Sequence, residues 1–470
     1  MSRLMRAGIL MTILAVLLAA CGPNRENGQQ ADRDGDGGAS ETANSPDGEL
    51  TAGGEIFVYG MSYENADEIA TTRVDHFTSQ YPDVSVTFSE SDFSAETLIP
   101  ALRGSDPPDV IRMPRNIAGG YIQRGIFEPL GECLERAGVD PSIYQPSAME
   151  QLTVDGTIYG LPQAYITRAW LIDNSVFEAA GLDPAAFDWS DWDAIRAANQ
   201  TILDAVESVK VGIDPKVSDP TSADMFPLWV HANGGELISE DGQPRLNAPE
   251  VVEALEFVAS MIEPYGSHAA FLDARGATGD FFGAENQFVL DTEGAFPMQQ
   301  TYLNTLATNS PDVEITAAPF MTRDGEPFTW ADGDVLGISA TSDNKDAACA
   351  FITSVLSTDA WVAAAEARQQ IREEEGVPNL GTVSGNVEAD RIIFSEIVDL
   401  ADYPVFEAAV QTYLDVQDAA FVIPRSVAAE QVQQAWATAV DRVLNGNADP
   451  QAALDQAQAE AEAAIADAGG

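Results

Sequence analysis

The chain has 470 residues, with 75 Asp and Glu against 23 Lys and Arg, a formal charge of −52 and only three lysines. A surface this acidic repels nucleic acid and anionic lipid headgroups, and it suits a salty medium in which self-repulsion is screened over a few ångströms. The length exceeds what one hydrophobic core supports, so two domains or lobes are expected.

Arg3 and Arg6 precede an apolar run from Ala7 to Ala20 that is too short to span a bilayer and has the shape of a secretory signal peptide, assigned to residues 1–20. Leu18-Ala19-Ala20-Cys21-Gly22 resembles the cleavage box of bacterial lipoproteins. That resemblance implies that Cys21 becomes the lipid-carrying mature N-terminus, on the outer face of the cell membrane or in the periplasm. Residues 21–53 are rich in Gly, Asn, Gln, Asp and Ser and cannot bury enough apolar surface to order themselves, so they read as a flexible tether. Within it, Asp32 to Gly37 matches the opening of a calcium loop, but Ala43 stands where the closing glutamate is needed. The stretch therefore reads as linker, with no metal.

Glu55 to Tyr59 reads as a buried strand, Ala66 to Tyr81 as a helix with Ile69, Val74 and Phe77 inward, Val84 to Phe88 as a second strand and Asp109 to Met113 as a third. Strand and helix in alternation imply an α/β fold built on parallel sheet, with a binding crevice at the carboxyl ends of the strands. Further helices are expected at Trp192 to Val209, Ala248 to Ile262, Lys345 to Leu356, Gln431 to Leu444 and Pro450 to Ala466. Trp192, Trp361 and Trp436 fall inside these helical patterns and read as core. Cys133 and Cys349 are free to pair in an oxidising compartment, but the sequence leaves open whether they do.

Catalytic signatures are missing from the sequence. His76, His231 and His268 have no metal-ligand spacing, and no nucleophile elbow, phosphate loop or dinucleotide fingerprint is present. With 75 acids almost any carboxylate spacing arises by chance, so no hydrolase pair can be read from it. No catalytic residue, cofactor or metal ligand is assigned. What remains is a supply of aromatic residues at strand ends and in loops, namely Tyr59, Tyr63, Tyr165, Trp229, Phe296, Trp330 and Phe421. Flat rings beside fixed hydrogen-bonding groups suit the apolar faces and polar rims of neutral sugars, although any one ring could equally be core.

Val154-Asp155-Gly156-Thr157-Ile158-Tyr159-Gly160-Leu161-Pro162 resembles a segment of the extracellular solute-binding proteins of ABC importers, the family that includes maltose-binding protein. The likeness continues through Val176 to Asp183, Asn233 to Leu237, Val335 to Ser339, Asn344 to Ala348 and Val443 to Asn447, in the family's order. It implies two α/β lobes, each a mostly parallel sheet flanked by helices, with the ligand cleft at the hinge. Residues 54–163 plus 319–372 would form lobe 1 and 166–316 plus 378–468 lobe 2. Crossovers are expected near Leu161 to Tyr165 and near Ala318 to Met321.

The resemblance also implies site residues. Met113 and Asn116 stand where a stacking aromatic and an acid are found in maltose-binding protein, Phe296 matches an aromatic following a glycine, and Phe421 with Arg425 match an aromatic–arginine pair. Tyr59, Tyr63, Tyr165, Asp224, Trp229, Trp330 and Asp332 are further candidates for the cleft. The implied function is capture of a small solute, a sugar or polyol, by a monomer without enzymatic activity. The implied partners are the transmembrane subunits of an ABC permease with its cytoplasmic ATPase. A polyamine receptor of the same fold and a surface lipoprotein hydrolase are the alternatives.

Overall fold

A computed structural model describes residues 50–64, 66–217 and 225–469. The expected signal peptide, Cys21, most of the expected tether and Asp224 lie outside the described residues.

The first sheet begins with strand Gly54–Tyr59, whose inward residues Ile56 and Val58 are fully buried. Parallel to it on either side lie Val84–Phe88 and Val110–Pro114. Strand Asp334–Ile338 then pairs antiparallel with Val110–Pro114, and Leu161–Pro162 closes the sheet. Helix Glu68–Gln80 packs on this sheet: Asp67 caps its first turn by accepting from the Ala70 N–H at 3.0 Å, and Ile69, Val74 and Phe77 turn inward. The described chain is already docked at its start, inside the stretch expected to be tether. Leu50 and Ala52 pack on the first core, and the Thr51 N–H donates to Asp346 at 3.2 Å.

The second sheet holds four strands in the order Ile315–Ala318, Arg168–Asp173, Glu293–Gln299 and Val211–Ile213. The two-lobed α/β layout is thus present, but the sheets are less parallel than strand–helix alternation implies. In the second sheet two of the three pairings, those made by Arg168–Asp173, are antiparallel, and only Val211–Ile213 pairs in parallel. The cause is that Arg168–Asp173 enters straight from the other lobe, with no helical crossover to restore its direction.

The crossings also differ from expectation. Ala318 still pairs with Trp170 in the second sheet, and Phe320, Phe328 and Trp330 pack in the second core. The chain therefore makes a hairpin through Phe320–Met321 and Pro327–Trp330 before it crosses at Ala331 to Asp334. There it runs beside the first crossing. The Gln163 N–H donates to the Asp334 carbonyl at 2.8 Å, and Ile166 and Asp332 exchange N–H to carbonyl bonds at 2.9 and 3.1 Å. Later segments are also shared between the cores: Ala389 and Ile393 pack with Ile69 and Trp361 of the first lobe, and Ala429 joins the first lobe's Tyr59, Leu98 and Ile111.

Cys133 and Cys349 form a disulfide with their Cα atoms 5.7 Å apart, joining helices Gly131–Ala137 and Lys345–Val355.

Two buried carboxyls make the fold sensitive to pH. Burial pushes Asp173 up to about 7 against the bonds it accepts from the Ser175 hydroxyl and the Val176 N–H, and pushes Asp390 up to about 6 against Ser384. A folded-state pKa above the unfolded value near 3.9 means that the native state holds the extra protons. This contribution to stability is complete at low pH and is lost as pH rises from about 4 to 7. In high salt, where surface repulsion is screened, the melting temperature should rise as the pH is lowered from 7 to 5. Asp173→Asn, which keeps the shape without the charge, should flatten that slope; an unchanged slope would show that the titration lies elsewhere.

Candidate ligand-binding cleft

Between the two sheets lies a cleft of about 1210 Å³. Its first-lobe wall begins where strand Val110–Pro114 passes directly into helix Arg115–Gln123, bringing Pro114, Asn116 and Ile117 to the surface of the cleft. Its second-lobe wall is the end of strand Glu293–Gln299, the start of helix Tyr302–Asn309 and the loop after helix His268–Arg275. Helix Ala429–Leu444 closes a third side with Glu430, Gln433, Gln434 and Ala437.

The floor is the crossing ribbon, with Ile166, Arg168, Trp330, Asp332, Gly333 and Asp334. Arg168 is only 3% exposed, and its guanidinium serves four groups: Asp332 at 2.8 Å, the Trp330 carbonyl at 3.3 Å, the Ile166 carbonyl at 3.4 Å and the Trp330 ring at 4.3 Å from its centroid. One face of the indole is therefore covered by the guanidinium, and the cation contributes order as well as charge. Asp334 pairs with Arg112 at 2.6 Å; burial raises its carboxyl above the ordinary range, with Arg112 opposing. Gly333 has φ +132°, and a Cβ there would collide with the Ala164 carbonyl oxygen and with Arg115. Only glycine fits this close approach.

Deeper in the second lobe, Arg275 grips Asp214 with two bonds of 2.6 and 2.8 Å, while Lys216 lies 3.3 Å from the same carboxylate and 4.0 Å from Glu293. Burial opposes ionisation of Asp214, but Arg275 and Lys216 outweigh it and hold the group below the usual range. Glu293 has no such fork. Burial drives its carboxyl well up, Asp214 adds to that, and Lys216 only partly offsets it. Lys216 also sits 4.9 and 5.5 Å from the ring centroids of Phe296 and Phe281.

The aromatic wall is formed by Phe281, Phe282 and Tyr302, with Phe281 stacked on Tyr302 at 4.4 Å. Amide and hydroxyl groups from Asn116, Gln299, Gln433, Thr278, Thr301 and Thr305 interleave with it. Asn116 and Gln433 meet across the cleft at 3.2 Å.

Of the residues singled out in the sequence, Asn116, Trp330 and Asp332 come together in this cleft. The other described candidates lie elsewhere. Met113 and Phe296 are fully buried on the inner faces of their strands, and Trp229 is locked in the second core with its indole N–H donating to the Pro215 carbonyl at 3.0 Å. Tyr59 donates to the Ser94 carbonyl at 2.7 Å, Tyr165 is hydrogen-bonded to Ser147, and Tyr63 stacks on Phe88. Phe421 pairs with Trp330 in strand register but stacks on His231 at 4.0 Å, while Arg425 packs on Gly119 and donates to the Glu150 and Thr153 carbonyls.

Sequence reasoning passed over Arg168, Lys216, Arg275, Tyr302 and the Phe281-Phe282 pair, all of which line the cleft. Two signals were available. Lys216 is one of three lysines in a chain of 75 acids, and Arg168 is the one cation in a fully buried strand whose next four residues are apolar.

The family model for bacterial extracellular solute-binding proteins matches residues 61–362. Curated binding proteins of Brucella abortus and Brucella suis share 27% identity with the chain over 146 residues, 30% of this chain, and the match spans about a third (33%) of their own length. Among solved structures, an ABC transporter solute-binding protein of Thermotoga lettingae bound to α-D-tagatose is 21% identical, covers 87% of this chain and 99% of its own, and has a TM-score of 0.67. The GacH receptor of Streptomyces glaucescens, solved unliganded and with acarbose, is 16% identical, covering 88% and 99%, with a TM-score of 0.67. UgpB of Mycobacterium tuberculosis in complex with glycerophosphocholine is 17% identical, covering 88% and 99%, with a TM-score of 0.68. At these identities the likeness is one of fold.

Proposed function

The chain belongs to the bacterial extracellular solute-binding proteins, and from that premise we propose that it is a lipid-anchored receptor that captures a sugar or polyol between its lobes and hands it to an ABC permease. The observation that carries this reading is the wall of Phe281 and Tyr302 interleaved with amides and hydroxyls in a cleft reached by both lobes. Rings cover the apolar faces of a sugar while the polar groups meet its hydroxyls. The sugars held by neighbours of the same fold support the same class.

A polyamine would need uncommitted carboxylates. Here Asp332 and Asp334 are paired with Arg168 and Arg112, Glu430 accepts from the Tyr121 hydroxyl at 3.3 Å, and the cations Arg168, Lys216 and Arg275 line the same cleft. The same pairing argues against a hydrolytic acid/base couple, so the protein binds without bond chemistry. Ligand that touches both lobes only in the closed form stabilises closure, and the permease reads that form. Cys21 would carry the lipid, with the segment behind it as leash.

The test is a panel of sugars, polyols and polyamines screened by thermal shift, followed by scattering. A cognate sugar is expected to raise the melting temperature and reduce the radius of gyration. Binding confined to polyamines would overturn the sugar assignment, and no binding across the panel would overturn the receptor reading for these classes.

A further inference from the structure

The cleft does not end at its aromatic wall. Beyond Phe282 it opens into a side groove of about 550 Å³ between helix Thr358–Glu375 and helix Tyr302–Asn309, and Phe282, Thr301 and Thr305 line both spaces. The groove is polar, and its two arginines and three carboxylates are all engaged in ion pairs. Arg368 is bonded to Asp67 at 2.7 Å and to Glu68 at 2.5 Å, and Arg372 to Glu375 at 3.7 Å and to the Thr308 hydroxyl. It therefore offers hydroxyls, amides and ion-paired charges, hydrogen-bonding partners suited to a polyhydroxy ligand.

At the junction stands Phe282, 68% exposed, while its neighbour Phe281 is half-buried against Tyr302. The exposed ring is held in place. The Asn309 amide donates to the Phe282 carbonyl at 3.0 Å, and the ring meets Phe281 edge-on with centroids 5.0 Å apart. An exposed ring at the mouth of the cleft offers a flat apolar face on which the C–H face of a sugar can stack. Size points the same way. The side groove adds about 550 Å³ beside the cleft, room for further sugar rings.

We infer that the side groove is a second subsite with Phe282 as its stacking platform, and that the ligand is an oligosaccharide running from the cleft across Phe282 into the groove. This rests on the sugar-binding reading above.

The test is calorimetric titration of the full mature protein with two ladders, glucose to maltotetraose and mannose to mannotetraose, for the wild type, Phe282→Ala and Phe282→Tyr. In the ladder that binds, affinity is expected to rise with ring number. Phe282→Ala should weaken the longest member about tenfold more than the shortest member that binds, the size expected of one lost ring contact. Phe282→Tyr should retain affinity. A monosaccharide binding as tightly as the tetrasaccharide, or Phe282→Ala affecting all lengths equally or none, would overturn the groove while leaving the sugar reading intact. Binding of no member of either ladder would overturn the oligosaccharide inference, and the polyol and other-sugar arms of the thermal-shift panel would then decide the sugar reading separately.

Discussion

Arg168→Met is expected to destabilise the protein by about 3–5 kcal/mol and to abolish ligand binding, the largest effect of any single substitution considered. The guanidinium is buried and serves Asp332, the Trp330 carbonyl and the Trp330 ring together. Removing it strands a mostly buried carboxylate, and breaking a buried pair from one side costs that much because the remaining charge loses its compensation. Urea midpoints measure the loss. The double variant Arg168→Met with Asp332→Leu separates the roles, since replacing both charges by apolar groups should recover most of the stability while binding stays lost. Equal midpoints for wild type and Arg168→Met would rule out the pair as a stabilising element.

The second large effect concerns the disulfide. Cys133 and Cys349 are 216 residues apart, and the ring they close contains every strand of the second sheet. In the chain-entropy picture, closing a loop of that length removes about 5 kcal/mol of unfolded-state freedom, and replacing both cysteines by serine should cost up to that amount. Both thiols are buried, so reductant is expected to act slowly on the folded protein and quickly on the unfolded one. Guanidinium unfolding of oxidised and reduced protein checks the first point. Coincident transitions would show that native-state strain or residual structure cancels the entropy. Because the bridge joins a first-lobe segment before the insertion to one after it, it should also keep the first lobe's halves together while the second lobe opens.

Local pattern located the secondary elements well and the cleft poorly, for physical reasons. Runs such as Glu55 to Tyr59 and Val84 to Phe88 carry their strand signal within five residues, and the observed Gly54–Tyr59 and Val84–Phe88 differ from them by at most one residue. Side-chain facing is set by register and by what packs above the sheet. The two-residue alternation that makes Met113 and Phe296 strand residues also turns both into the core. Asn116, Trp330 and Asp332, taken from the family resemblance, do line the cleft, where they adjoin the crossings. Phe281 and Phe282 sit in a loop whose position is fixed by contacts such as the Asn309 bond, 27 residues away, and no short pattern encodes that. The pairing of Cys133 with Cys349 is likewise a property of tertiary packing.

The two crossings are hydrogen-bonded to one another over Gln163 to Ile166 and Asp332 to Asp334, and this has a mechanical consequence. Two separate linkers would let the lobes twist, slide and bend independently. A paired ribbon resists torsion and shear more than separate linkers do, so these two crossings favour bending over twisting, beside the further passage between the lobes that follows helix Thr358–Glu375. On the proposed receptor reading, a ligand would then quench fewer soft motions, and the ordering entropy charged against affinity would be correspondingly small.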